Sequence, residues 1–271
     1  MDFVCPICRG ELTVGENLIK RCAKGHSFDR SRAGYYNLLV GVGAGVHGDN
    51  REMLEARRAF LDSGYYAPLA ERIANTVLAL TPRSGVVLDN GAGEGYYTNI
   101  IERALYDRDG ATSVLAFDIS KDAAKYIAKT NSGLSVAVAS SYSMPVADGS
   151  IDTAVTVFSP LARDELLRVL RHGGRLVLVF PDEMHLFGLK SAIYDNPYKN
   201  KPQSTELEGF RVLSDEELSY EIELKTNEDI RALFMMTPYA YRTPLKARER
   251  VLALDSLTTS VNFRIVSYEK I

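Results

Sequence analysis

The sequence contains 271 residues, of which 46% are hydrophobic, and its formal net charge is −3. This length is sufficient for one large domain, or for a large domain with a small one. A net negative charge gives no general indication of nucleic-acid binding, so any basic surface must be local. The sequence has no apolar run of about eighteen residues and no basic and apolar leader. We therefore expect neither a membrane-spanning helix nor a secretory signal, and a cytoplasmic location.

The first predicted element is a metal site. All three cysteines lie near the N-terminus, where Cys5 and Cys8 are separated by two residues, and Cys22 and His26 by three. Three thiolates and one imidazole at this spacing form a complete ligand set for structural zinc. A catalytic zinc is disfavoured because no position remains for water. The alternative is three unrelated buried thiols and a surface histidine. An odd number of cysteines does not favour a disulfide framework.

The finger around this site is expected to fold only with its metal, because so short a segment has no core of its own. The span between the second and third cysteines fits two short strands around a turn at residues 15–17. Several basic residues surround the site, with Asp29 as the single acid among them: Lys20, Arg21, Lys24, Arg30 and Arg32. This basic cluster is either a phosphate-binding surface or an ordinary solvated surface, and the sequence leaves both open.

A glycine-rich turn follows the next predicted strand. Residues 86–99 read VVLDNGAGEGYYTN, in which a buried strand leads to three alternating glycines and then to an amphipathic helix. Asp89 precedes the glycines, and the following strand, SVLAFD, ends in Asp118. No Lys-Ser/Thr pair closes the loop as in a triphosphate-binding loop. An acid at the tip of the second strand can accept both hydroxyls of a ribose, so an NAD-binding domain is one alternative.

The rest of the chain alternates strands with helices. Strands are predicted at residues 134–140, 151–159 and 174–180, with helices at 120–130 and 161–170. The last two strands, at 218–225 and 260–270, flank a helix at 227–236. This order predicts an α/β fold with a seven-stranded sheet whose last strand is inserted antiparallel.

The sheet order, the LDxGxGxG turn and the downstream acid resemble the class I, Rossmann-like S-adenosylmethionine-dependent methyltransferases. The resemblance implies that Asp89, Gly91 and Gly93 hold the methionine part of the cofactor and that Asp118 binds its ribose. The stretch VASSYSMP is similar to the third-strand segment of that class, so Ser140 and Ser141 complete the cofactor-binding set. Ser140 stands where an acid usually accepts the adenine amino group, and Asn90 replaces a usual apolar residue.

Longer stretches resemble one family throughout, the bacterial 23S rRNA guanine-N1 methyltransferases. These stretches are the finger, GDNREMLEARRAFLDSGYYAPL, LDNGAGEGYYT, HLFGLKSAIYDNPY and MMTPYAYR. The resemblance implies a zinc finger at residues 1–34, a flexible linker at 35–55 and a methyltransferase domain at 56–271. It also implies S-adenosylmethionine and structural Zn²⁺ as cofactors and a hairpin of 23S rRNA as the partner; a homodimer is left open. Related sequences often have a basic linker, whereas this one has no lysine or arginine between Gly34 and Asn50.

The substrate pocket is expected at the carboxyl ends of the strands, where Phe158-Ser159-Pro160 follows the fourth strand. A guanine that is turned out of a hairpin loop is usually held by stacking on aromatic rings, and its N1 carries a proton that must leave. The candidates for lining this pocket are Phe158, His185, Tyr194, Tyr239 and Tyr241, and no residue is identified as the base. Asp49 and Arg57 are candidates for covering the cofactor from above, whereas Glu94 more often shapes the turn in this fold.

Each pocket candidate has a structural alternative. Phe158 could be a core aromatic, His185 a helix cap, and Tyr239 and Tyr241 an alternating pair on a strand edge. The whole chain also has two alternative functions, a small-molecule methyltransferase and a non-catalytic zinc- and RNA-binding protein. The intact cofactor turn argues against the second. Because the overall charge is negative and the linker uncharged, we expect the basic cluster of the finger, rather than the cofactor domain, to attract RNA.

Overall fold

A computed structural model describes residues 2–41, 48–131 and 133–271. The N-terminal finger is a three-stranded antiparallel sheet of β1 (Thr13–Val14), β2 (Lys20–Arg21) and β3 (Ser27–Phe28). A short 3₁₀ segment, Glu16–Leu18, joins the first two strands at the predicted turn. The two predicted finger strands are thus confirmed, and a third follows them.

The remainder of the described chain is a mixed sheet with helices on both faces. In chain order its elements are β4 (Tyr36–Asn37), α1 (Arg51–Asp62), α2 (Ala67–Leu80), β5 (Val86–Asn90), α3 (Tyr96–Asp109), β6 (Ser113–Asp118), α4 (Lys121–Thr130), β7 (Ser135–Val138), β8 (Ile151–Val157), α5 (Arg163–Val169), β9 (Leu170–Pro181), α6 (Phe187–Ile193), β10 (Phe210–Leu224), α7 (Asn227–Met235), α8 (Tyr239–Arg242), α9 (Leu245–Leu252) and β11 (Leu257–Lys270). No helix within the described ranges combines the length and the hydropathy needed to cross a bilayer.

The strand order of this sheet is β10-β11-β9-β8-β5-β6-β7-β4. From β4 to β9 neighbouring strands are parallel, whereas β11 is antiparallel to both β9 and β10. The predicted class I fold, with its last strand inserted antiparallel, is therefore confirmed. An eighth, two-residue strand is added at the edge, because Tyr36 and Asn37 pair with Ala137 and Val138 of β7.

The expected linker at residues 35–55 has ordered structure at both of its ends. β4 falls inside its first part, and α1 begins at Arg51, with the Asn50 side chain accepting the Met53 N–H as its N-cap at 2.9 Å. Residues 42–47 of the expected linker lie outside the described residues.

The finger packs against the sheet and shares its core. Phe3, Leu12 and Cys22 belong to the same buried cluster as Leu115 and Phe117 of β6. Burying these side chains against the larger domain supplies the apolar contacts that a finger of this size lacks. On the opposite face of the sheet, helices α1, α2, α3 and α7 form a second core.

Lys20 is not part of a surface cluster. Its side chain is 3% exposed, its ammonium donates a hydrogen bond to the Asp2 carboxylate, and it lies 4.3 Å from the centre of the Tyr36 ring. The prediction that Lys20 faces phosphates is therefore wrong. The sequence shows that Lys20 is charged but not that it is buried. Its position on β2 places the side chain between the finger and the larger sheet, against Asp2 and Tyr36. Arg21 and Lys24 are exposed.

Candidate cofactor and zinc sites

The finger brings together the four predicted metal ligands. The ligand atoms of Cys5, Cys8, Cys22 and His26 all lie within 4.8 Å of one another. His26 Nδ1 is 3.5 Å from the sulfur of Cys5 and 3.3 Å from that of Cys22, and the sulfurs of Cys8 and Cys22 are 3.6 Å apart. A tetrahedral zinc ion with Zn–S bonds of about 2.3 Å and a Zn–N bond of about 2.0 Å requires ligand separations of this size. The donor set therefore fits a structural zinc ion.

The finger is also held against the segment that follows β7. Val4 N–H donates to the Pro145 carbonyl at 2.9 Å, and the guanidinium of Arg9 donates to the Met144 carbonyl. This segment begins with the predicted adenine-side residues Ser140 and Ser141, which are half-buried. The metal-bound knuckle thus supports the same loop that carries part of the predicted cofactor site.

The glycine turn connects β5 to α3. Gly91, Gly93 and Gly95 have φ values of 78°, 57° and 89°, which side chains other than glycine rarely adopt. A Cβ on Gly91 would clash with the Ser159 side chain, and one on Gly95 would lie 2.8 Å from Ile127 Cγ1. The backbone at Gly91 and Gly95 therefore approaches its neighbours more closely than any side chain would allow, whereas among the described residues a Cβ on Gly93 would meet only Arg57 Nη1, at 3.5 Å.

Two carboxylates flank the turn. Asp118, at the end of β6, accepts the N–H groups of Gly93 at 2.9 Å and Ser120 at 2.8 Å, one on each oxygen. Each oxygen retains acceptor capacity for another donor. Asp89 is buried and accepts the Thr98 hydroxyl at 2.5 Å, and burial raises the pKa of its carboxyl to about 6.

Ser140 lies beside Asp118, because the Ala139 N–H donates to the Asp118 carbonyl at 3.0 Å. Its hydroxyl accepts the Tyr142 N–H at 3.2 Å. The predicted cofactor residues of β5, β6 and β7 thus meet along one edge of the sheet. This convergence follows from parallel pairing, which brings the carboxyl ends of the three strands together.

An ion-pair network covers the turn from the side of α1. The Arg57 guanidinium pairs with Asp49 at 2.5 Å through Nη2, and its Nη1 is 3.6 Å from Glu94 Oε2. The same Nη1 is 3.5 Å from the position that a Cβ on Gly93 would occupy. The Asp49 carbonyl accepts the Ser120 hydroxyl at 3.0 Å. Asp49 and Arg57 thus lie where they were predicted, whereas the approach of Glu94 to Arg57 was not predicted from the sequence.

The predicted pocket aromatics form two groups. In the first group, Phe158 and His185 both contact the Phe263 ring, with centroid distances of 5.8 and 4.8 Å. Phe158 is 44% exposed and has a φ of 52°, a strained backbone for an aromatic residue. Ser159, which follows it, is the residue that abuts Gly91. The first group therefore borders the cofactor turn.

The contacts of His185 make it part of the pocket wall. Its Nδ1 accepts the Asn262 N–H at 3.2 Å, and its Nε2 is 3.4 Å from the Tyr66 hydroxyl. Burial lowers the pKa of its imidazole to about 3, with a further contribution from the Lys190 charge. The ring is neutral at physiological pH. The alternative of a side-chain helix cap is wrong, since both nitrogens face other partners.

The second group contains Tyr194 and Tyr239, whose ring centres are 6.4 Å apart. Lys190 lies beneath this group, fully buried, and donates to the Tyr198 carbonyl at 3.1 Å and the Asn200 side chain at 2.6 Å. Burial raises the pKa of Tyr239 to about 12. The suggestion of a strand-edge pair is wrong, because Tyr239 and Tyr241 lie on α8.

Comparison with known proteins identifies both parts of the chain. The family model for the N-terminal region of RlmA matches residues 3–40, and a methyltransferase-domain model matches residues 87–176. The 23S rRNA (guanine(748)-N(1))-methyltransferase of Streptomyces fradiae is 37% identical over 70% of this chain and 66% of its own length. A Micromonospora griseorubida protein, provisionally named 23S rRNA (guanine-N(1)-)-methyltransferase, is 31% identical over 98% of this chain and 97% of its own. The chain belongs to the 23S rRNA (guanine-N1)-methyltransferase family.

A third relative of the family, YxjB of Bacillus subtilis, has the same provisional name and is 29% identical over 95% of this chain and 92% of its own length. The catalytic domain of this family is S-adenosylmethionine-dependent, and the residues around the turn fit that cofactor. Among the described residues, a Cβ on Gly93 would meet only Arg57 Nη1, Asp118 keeps acceptor capacity for hydroxyls, and the Glu94 Oε2 atom is buried without a hydrogen-bond partner.

The zinc site generates the first prediction. Cys8→Ser should remove zinc and disorder the finger, because metal binding supplies its folding free energy. The affinity for S-adenosylhomocysteine should also fall several-fold, since Val4 and Arg9 would no longer hold the segment after Ser141. Metal analysis and calorimetry measure the two effects. Ile7→Ser, which changes an exposed residue inside the same knuckle, is the matched control. Stoichiometric zinc in the Cys8 variant would contradict the assignment.

Asp89 generates the second prediction. Its pKa is about 6 in the folded protein against an unfolded value of 3.8, so folding favours the protonated form. The stability that this proton contributes is present below about pH 4 and is lost as the pH rises through 6. Compared with Asp89→Asn, the wild type should therefore lose about 2–3 kcal/mol of unfolding free energy between pH 4 and pH 7. Urea unfolding across this range measures the difference, with the exposed Asp164→Asn as a control. A pH-independent difference would show that Asp89 is not perturbed.

Proposed function

We propose that this chain transfers the methyl group of S-adenosylmethionine to N1 of a guanine in a hairpin loop of 23S rRNA. The observation that carries the proposal is the Cys₃His finger fastened directly to the loop beside the cofactor turn, in a chain of this family. We also propose a cytoplasmic location, where ribosomal RNA is modified. We take residues 1–34 as the finger and 56–271 as the catalytic domain. Because α1 begins at Arg51, we extend the catalytic domain to include the whole of α1.

The cofactor residues have separate roles in this proposal. Asp118 accepts the ribose hydroxyls, Ser140 and Ser141 face the adenine, and the backbone at Gly91 and Gly93 lies against the methionine end. Bound there, the cofactor supplies an electrophilic methyl group. The protein contributes mainly orientation, because an in-line displacement depends on the alignment of the two reacting atoms.

The aromatic residues serve the guanine. Phe158 is exposed, held in a strained backbone and adjacent to the residue that touches Gly91, so it is our choice for stacking on the flipped base. Tyr194 and Tyr239 form the opposite wall of the pocket. Lys190 lies beneath this wall and supports it by donating a hydrogen bond to the Tyr198 carbonyl. His185 is a structural support for Phe263, because both of its nitrogens are engaged and its low pKa makes it a poor proton acceptor.

Methyl transfer to RNA is the third prediction. Purified protein should transfer label from the methyl-labelled cofactor to a 23S hairpin transcript, and reverse transcription should stop at the modified guanine, because an N1 methyl group blocks base pairing. Gly91→Val should abolish transfer, since its side chain would clash with Ser159. Replacing the guanine by inosine, which retains N1–H, should preserve transfer, whereas adenine should abolish it. Transfer that ignores the guanine would favour a small-molecule substrate.

Attraction of the RNA is assigned to the finger. A groove of about 350 Å³ beside the metal ligands is lined by Arg21 and Lys24 together with Thr13 and Glu11. Both cations are exposed and lie next to a metal-held backbone, which makes them suited to phosphate contact. Lys20 is omitted because it is buried against Asp2.

Salt dependence gives the fourth prediction. The double variant Arg21→Ala/Lys24→Ala should bind the hairpin more weakly and should reduce the slope of log K against log salt by up to about 1.8, at roughly 0.7–0.9 per phosphate contact. Arg211→Ala/Lys225→Ala is the matched control, because Arg211 lies in β10 and Lys225 directly follows it, and both are exposed cations at the opposite edge of the sheet. Fluorescence anisotropy across a salt series measures both. Equal slopes in the two variants would remove the finger from phosphate recognition.

A further inference from the structure

An exposed tyrosine lies at the outer end of the aromatic wall. The centre of the Tyr198 ring is 5.4 Å from that of Tyr194, and the two ring planes are inclined at 42°. Tyr194 in turn contacts Tyr239, the other member of the wall. Tyr194 and Tyr239 are half-buried, whereas Tyr198 is 54% exposed. The wall proposed for the flipped guanine therefore continues outward into a ring that faces solvent.

Tyr198 is fixed in place despite its exposure. The Lys190 ammonium lies 5.0 Å from the centre of its ring and donates to its backbone carbonyl at 3.1 Å. The same ammonium donates to the side-chain oxygen of Asn200 at 2.6 Å. Asn200 donates in turn to the carbonyls of Asp182 and Glu183, at 2.8 and 2.9 Å, just beyond the end of β9. The exposed ring is thus held both through its backbone and through one of its faces.

The burial of Lys190 is the second observation. Its side chain is fully buried, and no carboxylate in the described part of the chain pairs with it. A buried ammonium without a counter-ion costs free energy, and an apolar side chain of similar volume is often the more stable alternative. Stability alone therefore gives no reason for a lysine at this position. The orientation that the ammonium imposes on Tyr198 indicates a functional role for that ring.

The cations around Tyr198 favour a polyanionic partner. Lys201 and Arg242 are both exposed, and neither forms an ion pair with another residue that the structure describes. Burial raises the pKa of Tyr194, and the charge of Arg242 opposes that rise, so the guanidinium lies near the Tyr194 hydroxyl. Proteins that bind single-stranded nucleic acid combine such rings, on which bases stack, with cations that face the phosphates. The surroundings of Tyr198 therefore match a nucleotide of a single-stranded loop.

We infer that Tyr198 stacks on the nucleotide next to the target guanine in the hairpin loop and so helps to select which guanine is methylated. The inference rests on the proposed function and adds a second base contact to that of Phe158. When one nucleotide of a loop is turned into a pocket, its neighbour must lie at the rim of that pocket, because the two are covalently joined. Lys190 is a positioning residue that holds the stacking ring at this rim.

The test combines variants of Tyr198 with synthetic hairpins that lack the base on one side or the other of the target guanine, located by its reverse-transcription stop. On the intact hairpin, Tyr198→Leu should lower kcat/KM by about five- to a hundredfold, the effect of losing one stacked base. The loss should appear mainly in KM, because the neighbouring base is held equally before and during transfer. Tyr198→Phe restores a ring and should recover most of the loss. On one of the two abasic hairpins, Tyr198→Leu and the wild type should agree within about twofold, since the stacked base is already absent.

Two further variants separate stacking from structure. Tyr106→Leu is the matched control, because Tyr106 is 62% exposed but lies in the last turn of α3, away from the glycine turn; it should methylate all three hairpins as the wild type does. Lys190→Met should reproduce the loss on the intact hairpin, and combining it with Tyr198→Leu should add little, because both changes remove the same contact. If Lys190→Met does not fold, the Tyr198 variants decide the matter on their own.

The outcomes also separate this inference from the proposed function. If Tyr198→Leu loses the same factor on the intact hairpin and on both abasic hairpins, or loses nothing on the intact one, the stacking contact is overturned while the methyltransferase remains. Failure of the wild type to methylate the intact hairpin at all would overturn the proposed function and this inference with it.

Discussion

The contact between the glycine turn and the end of β6 is the constraint on which the rest of the catalytic domain depends. The N–H groups of Gly91 and Ala92 both donate to the Phe117 carbonyl, at 3.1 and 3.0 Å, and the Gly93 N–H donates to Asp118. Three successive backbone donors are thus committed to one strand end. The turn can follow this path because its glycines adopt positive φ values, and the strands that follow then bring Ser140 and Phe158 to the same edge.

The finger is held against the sheet in the same way as the glycine turn is held against β6, by backbone hydrogen bonds. It is a small element held by polar contacts at a few backbone positions and completed by a shared core. Zinc therefore does more than fold a peripheral module, because the knuckle it stabilises is bonded to Met144 and Pro145. We expect metal loss to lower the affinity of the cofactor site. An independent finger joined only by a flexible linker would not produce this effect.

Much of this architecture could be predicted from sequence because its signals are local. The metal ligands lie within one short segment, the glycine turn is contiguous, and alternating buried strands and amphipathic helices set the sheet order. The parts that could not be predicted depend on partners far apart in the chain. The two residues of β4 have no periodicity to detect, and Lys20 is buried only because Asp2 and Tyr36 fold against it. The helical setting of Tyr239 was missed because a four-residue helix leaves no pattern.

Two buried lysines show why the half-buried Arg57 differs from them. Lys20 is neutralised by Asp2 and covered by an aromatic ring, so its site is closed. Lys190 has no carboxylate within ion-pair distance among the described residues, but it donates to a carbonyl and an amide oxygen and is fully enclosed. Both satisfy their hydrogen-bonding needs from within the chain.

Arg57 alone of these three has a partner that remains incompletely bonded, since Glu94 Oε2 is buried without a hydrogen bond while Nη1 stands 3.6 Å away. Both side chains lie beside Gly93, whose Cβ position would be 3.5 Å from Arg57 Nη1. This part of the glycine turn therefore offers the proposed cofactor a cation and an acceptor that both keep hydrogen-bonding capacity.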